Sequence, residues 1–201
     1  MRGEIVLFSC ALTFCFCDGK GLSREEFDQW TSKTAPVFKS ECVFEGGITE
    51  FDLAAHQGRW VVMLFMPLEI THAGVGTPNA AGIEMLLSME EKMPAFIAKH
   101  TDVVIVSPES KHYLKTLAES PHTEGGLGGV SFELVSDMNS VAAGLYGITS
   151  PTSSQATLYI LAPQMAIQTR EVFPAAKPPT VDHIIERLTE LQREGHATDE
   201  E

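Results

Sequence analysis

The sequence has no cysteine after Cys42. The other three, Cys10, Cys15 and Cys17, lie close together near the amino terminus, among leucine and phenylalanine residues. In such surroundings cysteines act as small apolar residues rather than as metal or redox ligands. If the amino-terminal stretch is removed, Cys42 is the only thiol left, and a chain with one thiol forms no internal disulfide. We therefore do not expect a fold that disulfides hold together.

Basic residues are also scarce. Lys and Arg number 14 against 27 Asp and Glu, which gives a net charge of −13 at pH 7. Nucleic acids and anionic membrane surfaces are bound by clustered cations, so the composition argues against both as partners. No internal repeat is present. With 44% hydrophobic residues in a chain of 201, we predict one domain with a full-sized core over residues 20–201.

The first 19 residues differ in composition from the rest of the chain. Arg2 precedes an apolar stretch from Ile5 to Cys17, and the polar residue Asp18 follows. This stretch is too short to span a bilayer but suits the apolar core of a signal peptide. We therefore predict a signal peptide over residues 1–19 and a location in the secretory pathway, in the ER lumen or outside the cell. The alternatives are a buried terminal strand, a mitochondrial presequence and a cytoplasmic location.

Functional signals concentrate between residues 59 and 82. The apolar run Trp60–Met66, closed by Pro67, predicts a strand that is buried on both faces, as at the centre of a parallel sheet. A loop follows, and a helical pattern begins at Ile83. Free N–H groups and the helix dipole favour an anion at a helix N-terminus. The arrangement of strand, loop and helix is therefore typical of an active site in an α/β fold.

Pro67 and Thr71 carry a resemblance to the peroxiredoxin family, whose active-site pattern is Pro-x-x-x-Thr-x-x-Cys after an apolar strand. In this register the cysteine position falls on Gly74. Counting back from the end of the following helix places it at Gly82 instead. Both residues are glycine, so the resemblance implies a degenerate member of the typical 2-Cys (AhpC/TSA-like) group that lacks the peroxidatic cysteine.

Later segments extend the resemblance over residues 34–194. Gly125-Gly126-Leu127-Gly128 and the run Leu134–Asp137 follow in the family's order. Matching Leu158–Leu161 to a family strand places the arginine that lowers the thiol pKa in the family at Ala156. Neither Ala156 nor its neighbour Gln155 is a cation. The resemblance therefore implies that the charge which stabilises the thiolate is missing as well.

The alternation of strands and helices, together with the resemblance, predicts a thioredoxin-like α/β fold with a central mixed sheet flanked by helices. The predicted sheet strands are Trp60–Met66, Val103–Val106, Thr157–Leu161 and Ala166–Phe173, preceded by two short strands at Cys42–Phe44 and Glu50–Leu53. The predicted helices include Ile83–His100, with a kink at Pro94, and Val181–Leu191.

Two classes of function remain. The first is a catalytically inactive pseudo-peroxidase that acts through protein binding or oligomerisation, in redox homeostasis or in an assembly. The remnant pocket positions are then Pro67, Thr71, Gly74 and Ala156. The second is a thiol peroxidase or redox protein that uses a thiol away from the family's site, either Cys42 or the amino-terminal cluster of cysteines. We favour the first, because a reactive thiol needs a nearby cation or helix terminus. No cofactor is expected, and no metal, because His72 has no second His or Cys at ligand spacing.

The predicted strand Ala166–Phe173 is strand-like but polar enough to be exposed, so we expect it at an edge of the sheet. Such a strand indicates how the protein associates. Its interface residues are Ala166, Ile167, Gln168, Thr169, Arg170, Glu171 and Val172. An uncapped edge strand readily pairs with another chain, and the resemblance implies dimerisation at this strand. We therefore predict a homodimer, or a hetero-oligomer with an active peroxiredoxin or within a larger assembly.

Overall fold

The computed structural model of the protein describes residues 33–72, 75–148 and 155–198, with side chains omitted at 70–72, 75–76 and 195–198. The predicted signal peptide over residues 1–19 and the glycine at position 74 lie outside the described residues. Within the described ranges, no helix is both long and apolar enough to cross a membrane.

Nine strands and five helices lie within the described ranges. The strands are β1 (Lys39–Phe44), β2 (Gly47–Asp52), β3 (Trp60–Phe65), β4 (Glu69–His72), β5 (Val75–Pro78), β6 (Thr101–Ser107), β7 (Glu133–Ser136), β8 (Gln155–Leu161) and β9 (Ile167–Pro174). The helices are α1 (Ala80–Glu91), α2 (Met93–Ala98), α3 (Lys111–Glu119), α4 (Val141–Leu145) and α5 (Val181–Thr198). Short 3₁₀ turns cover Leu53–His56 and His122–Glu124.

Seven strands form one mixed sheet in the order β2-β1-β7-β6-β3-β8-β9. The central strand β3 runs parallel to β6 and antiparallel to β8, and β9 lies at one edge. The prediction of a thioredoxin-like α/β fold with a mixed sheet is confirmed. Val61 and Leu64 are fully buried on opposite faces of β3. A strand covered on both faces has no solvent-facing position, which explains the unbroken apolar run.

Two apolar clusters cover the faces of the sheet. On one face, Val62 and Leu64 of β3 pack with Leu86 of α1 and Ile184 of α5. On the other face, the cluster includes Met63, Tyr146 after α4 and the segment around residues 35–38. The first face is therefore covered by four helices, and the second within the described residues by one short helix and an extended segment.

The predicted helix over residues 83–100 is wrong in two respects. It begins earlier, at Ala80, and it is divided at Lys92 into α1 and α2. Pro94 lies in the first turn of α2 rather than at a kink within one helix. Proline is accommodated in a first turn because its missing N–H has no intrahelical partner there.

The predicted loop between Pro67 and the next helix is also wrong. The segment forms a β-hairpin, β4 and β5, which makes a separate two-stranded sheet. Ile70 pairs with Thr77, and Thr71 pairs with Gly76. Each strand has only four residues and the second contains Gly76 and Pro78, both poor strand formers. The periodicity of the sequence therefore gives no clear signal for this hairpin.

A charged cluster joins several elements at the amino ends of β6 and β7. His56 Nδ1 lies 2.9 Å from Asp102 Oδ2, and His56 Nε2 lies 3.2 Å from Glu133 Oε2. Arg59 Nε donates to Asp102 Oδ1 at 2.7 Å. The hydrogen bonds with Asp102 and then Glu133 raise the pKa of His56 to about 9. His56 is therefore a cation at neutral pH, and it ties the turn after β2 to both strands.

We expect His56→Gln to lower the free energy of unfolding in a pH-dependent manner. A group whose pKa is raised on folding stabilises fully below its unfolded value of 6.5, and that contribution is lost as pH rises through about 9. The deficit of the variant should be about 1–2 kcal/mol in mild acid, after allowance for screening, should shrink as the pH rises from 6.5, and should be largely gone above about pH 9. Urea unfolding of both proteins across this range measures it.

The matched control is Lys115→Gln, which removes an exposed ion pair with Glu119. Exposed pairs of this kind contribute about 0.5 kcal/mol or less. A deficit for His56→Gln that stays constant with pH would show that the residue acts by packing rather than by charge.

Candidate functional site

Several strand ends meet at one edge of the sheet. β3 and β6 end there, and β8 begins there because it runs antiparallel to β3, with Phe65 opposite Thr157. A pocket of about 20 Å³ lies between these ends, with Met66, Ser107 and Gln155 in its lining. That volume holds roughly one water molecule. None of the pocket's described lining residues is Cys, Lys, Arg or His.

Asn79 closes the N-terminus of α1, the helix that follows this edge. The side chain is 1% exposed. Its Nδ2 donates to the carbonyl oxygens of Pro67 at 2.9 Å and Ala175 at 3.2 Å, and its Oδ1 accepts from the N–H of Gly82 at 3.3 Å. One buried amide therefore joins the end of β3, the segment after β9 and the first turn of α1. The free N–H groups that would receive an anion are partly used by this cap.

Gly82, one of the two candidate cysteine positions, is enclosed. It lies in the first turn of α1, and a Cβ atom on residue 82 would lie 2.5 Å from Met66 Cε and 3.0 Å from Asn79 Nδ2. The Met66 side chain, 2% exposed, thus occupies the space beside this helix terminus. A cysteine at position 82 requires Met66 to move.

Gly74, the other candidate, falls in the sequence between β4 and β5 and lies outside the described residues. The Thr71 backbone is part of β4, and its side chain is not described. Because β5 separates position 74 from Ala80, where α1 begins, position 74 is not in the first turn of that helix. Pro67 lies at the end of β3, as predicted, and its carbonyl oxygen serves as the acceptor for Asn79.

Two acids lie near this edge. Asp137 lines the pocket, and its carboxylate accepts from the N–H groups of Ala142 at 3.0 Å and Ala143 at 2.8 Å. The other acid is Glu109. Its Oε1 accepts from the N–H groups of Leu68 at 3.1 Å and Glu69 at 2.9 Å, so it holds the start of β4. The Ser107 hydroxyl lies between this carboxylate and the Met66 carbonyl oxygen. Burial raises the pKa of Glu109. Neither of these acids supplies the cation that a peroxidase site needs.

Ala156 is fully buried in the first apolar cluster, opposite Phe173 of β9. Gln155 is exposed at the rim of the small pocket. The position that the resemblance assigns to an arginine therefore carries a methyl group within the core, and its neighbour carries a neutral amide.

Cys42 is fully buried in β1, on the second face of the sheet. It pairs with Val135 of β7 and does not line the pocket at the strand ends. Burial, together with the charge of Glu133, raises the pKa of the Cys42 thiol to about 12. The thiolate is the reactive form, so the thiol is expected to be inert in the native protein.

The predicted interface segment forms strand β9 and the bridge that precedes it. Ala166 forms an isolated bridge with Thr34, and Ile167 and Thr169 are buried. The remaining segment residues are half-buried and comprise Gln168, Arg170, Glu171 and Val172. Glu171 also accepts from His183 of α5 at 2.7 Å if His183 Nε2 carries a proton. The position of β9 at the edge of the sheet matches the sequence prediction, while an interface there stays a prediction.

Sequence reasoning missed the two residues that organise this edge, Asn79 and Glu109. Asn79 carried a usable signal, because an asparagine directly before Ala80-Ala81 is a typical N-cap. Glu109 carried none. Its contacts join residues 40 and 41 positions apart along the chain, and no local pattern encodes a contact of that span.

A family model described as the AhpC/TSA family matches residues 31–170. Among curated proteins, the chain is similar to peroxiredoxin tpx1 of Schizosaccharomyces pombe, with 29% identity over 116 residues, 58% of this chain and 56% of the relative. It is also similar to peroxiredoxin TSA1 of Saccharomyces cerevisiae, with 28% identity over 138 residues, 68% of this chain and 66% of the relative. The chain thus spans between half and two thirds of the length of these relatives.

Among solved structures, the fold is similar to that of the reduced 2-Cys peroxiredoxin of Plasmodium vivax. The TM-score is 0.73 at 22% identity, and the match covers 83% of this chain and 99% of the other. At this identity the likeness establishes the fold alone.

We expect Asn79→Asp to destabilise the protein by about 2–4 kcal/mol, because a carboxylate cannot donate to the Pro67 and Ala175 carbonyl oxygens and buries a charge beside them. Ser110→Ala, which removes the N-cap of α3 at a less buried position, is the matched control. It should cost about 1 kcal/mol. Chemical unfolding measures both. Equal losses would show that Asn79 is only a helix cap.

Proposed function

The chain belongs to the AhpC/TSA family of peroxiredoxins, and from this premise we propose that it is a pseudo-peroxidase that acts by associating with other proteins. The observation that carries the proposal is the closed helix terminus at the family's active-site edge. The Asn79 amide and the Met66 side chain occupy the space beside the first turn of α1. Both candidate cysteine positions are glycine.

Peroxide reduction by this family's chemistry needs a nucleophile. A thiolate attacks one peroxide oxygen, the O–O bond breaks, and the sulfur becomes a sulfenic acid while water or an alcohol leaves. Gly74 and Gly82 have no side chain for this step. Thr71 does not replace a thiolate, because an alcohol is hardly ionised near neutral pH without an adjacent base.

The charges at this edge of the sheet also argue against peroxide reduction. Charge that develops on the leaving oxygen is stabilised by donors or cations aimed at it. The position that the resemblance assigns to the arginine is the buried Ala156, and Glu109 places an acid beside the turn after β3. This edge therefore has the character of a closed structural element.

Association through β9 is the activity that the remaining features support. β9 is the longest strand of the sheet and lies at its end. On its outer side, the residues around Thr34 pair with Ala166 and Ile167 at the amino end of the strand. Four of its residues are half-buried and include both polar and apolar side chains: Gln168, Arg170, Glu171 and Val172. We propose pairing with a second copy or with an active peroxiredoxin. The opposite edge strand, β2, is shorter and carries exposed Glu50, and such a charge disfavours pairing.

We also propose that the protein enters the secretory pathway and loses its first 17 to 19 residues. The support is the short apolar run bounded by Arg2 and Asp18. Amino-terminal sequencing of the native protein tests this. A native chain that starts at Met1, or inside the apolar run, contradicts it.

We expect the purified protein to consume hydrogen peroxide no faster than a protein-free control in stopped-flow measurements, because no described thiol lies at the active-site edge. Cys42→Ala is the matched control, since alanine suits the apolar surroundings of the buried thiol. Turnover that this variant abolishes would establish the alternative, a thiol peroxidase that uses Cys42. A thiol reagent should label Cys42 in denaturant and only slowly in the native state, as a pKa of about 12 implies.

We expect Val172→Asp to weaken a β9-mediated dimer at least about tenfold, or about 1.4 kcal/mol, because a charge on an edge strand disfavours its pairing with another strand. Ile48→Asp on the opposite edge strand, at a residue 39% exposed, is the matched control and should leave the association unchanged. Sedimentation velocity measures the association of both variants and of the parent protein, each by itself and mixed with an active peroxiredoxin. A parent protein that stays monomeric in both settings contradicts association through β9.

A further inference from the structure

One methionine of the described chain differs from all the others in its exposure. The sequence contains eight methionines, and seven of them lie within the described residues. Six belong to the core and are at most 7% exposed: Met63, Met66, Met85, Met89, Met93 and Met165. Met138, in contrast, is 63% exposed. Because Cys42 is fully buried, Met138 is the one sulfur-containing residue of the described ranges that is open to solvent.

Met138 lies in a turn between β7 and α4 that hydrogen bonds hold in place. The N–H of Asp137 donates to the Ser107 carbonyl oxygen at 2.7 Å, and the N–H of Ser140 donates to the Asp137 carbonyl oxygen at 2.9 Å. The Asp137 carboxylate also caps the first turn of α4. These bonds fix the chain on both sides of Met138, so the exposure of this side chain is a property of the fold.

We propose that Met138 is a modification site, at which hydrogen peroxide forms methionine sulfoxide in the native protein. A lone pair of the thioether sulfur attacks one peroxide oxygen. The S–O bond forms as the O–O bond breaks, and the leaving hydroxide takes up a proton and becomes water. The sulfur is oxidised by two electrons and the peroxide is reduced. A thioether has no proton to lose, so the step needs neither a base nor a cation of the kind that activates a thiolate.

The surroundings of Met138 suit a sulfoxide. The side chain lines a cavity of about 360 Å³ beside α4. The lining is mixed and combines apolar with charged residues: Phe38, Val141, Lys39, Glu41, Lys111 and Asp137. Oxidation of a core methionine would place a polar oxygen in apolar surroundings, which costs stability. At Met138 the new oxygen meets solvent and this mixed lining, so we expect the fold to be kept.

Oxidation of Met138 changes the apolar surface around α4. Val141 and Leu145 are 60% and 45% exposed, lie one helical turn apart and share a face. Met138 lines the same cavity as Val141. We call these three residues the α4 patch. Exposed apolar surface binds apolar groups of other molecules, and a sulfoxide is polar, so oxidation of Met138 weakens such binding at the α4 patch. This inference is independent of association through β9.

Peptide mapping of the full chain after exposure to hydrogen peroxide under native conditions tests the site. We expect Met138 to gain one oxygen atom at least about tenfold faster than the six core methionines, because those react only when the core opens. In denaturant this difference should disappear. Met138→Leu should remove the fast uptake from the described part of the chain. Met85→Leu, at a buried residue of α1, should leave that uptake unchanged.

Binding of a hydrophobic dye measures the effect on the α4 patch. Oxidation should lower dye binding by the parent protein and by Met85→Leu, and should leave Met138→Leu unaffected. Treatment with methionine sulfoxide reductases should restore the binding. Core methionines that react as fast as Met138 in the native protein, or a Met138 that does not react, overturn the proposed site. Selective oxidation of Met138 without a loss of dye binding overturns its effect on the α4 patch.

Discussion

The burial of β3 on both faces and along both edges is the constraint on which the rest of the structure depends. The strand pairs with β6 on one side and β8 on the other, and Val61, Val62, Met63 and Leu64 are fully buried. Six consecutive ladder pairs with β6, from Trp60 with Thr101 to Phe65 with Val106, set the register of the two strands. A slip of one residue would exchange the two apolar clusters, so the packing specifies where each strand ends.

At the edge where β3 ends, the order of strand, connecting segment and helix is that of a catalytic site. The side chains there, however, make structural contacts. Asn79, Met66 and Glu109 close it by hydrogen bonds and packing, where a peroxidase would keep an open helix terminus and a cation. Buried polar groups at this edge find partners within the protein: the Asn79 amide joins three segments, and the Glu109 carboxylate accepts two backbone N–H groups. This closure supports our proposal that the protein acts through its surfaces rather than through a pocket.

Long apolar or alternating segments were predictable, and short or nonlocal features were not. The central strand, the antiparallel edge strand and the long last helix were all found, because each has a clear apolar pattern over several residues. The hairpin β4–β5 was missed because four-residue strands with glycine and proline have no such pattern. The break at Lys92 was placed two residues late, at Pro94, since the proline begins α2 instead of bending one helix. The extra contacts of Asn79 and those of Glu109 depend on residues that only the fold brings near.

The sequence by itself determined which chemical groups exist: one cysteine after residue 17, glycine at both candidate positions, alanine in place of the arginine, and a large excess of acids. These are facts of covalent structure, so no fold alters them. Only the tertiary structure decided how the remaining groups are placed. It buried Cys42 and raised its pKa, seated Met66 against Gly82, and paired His56 with two carboxylates from different strands. Such properties arise from desolvation and from contacts between distant parts of the chain, which local sequence patterns do not encode.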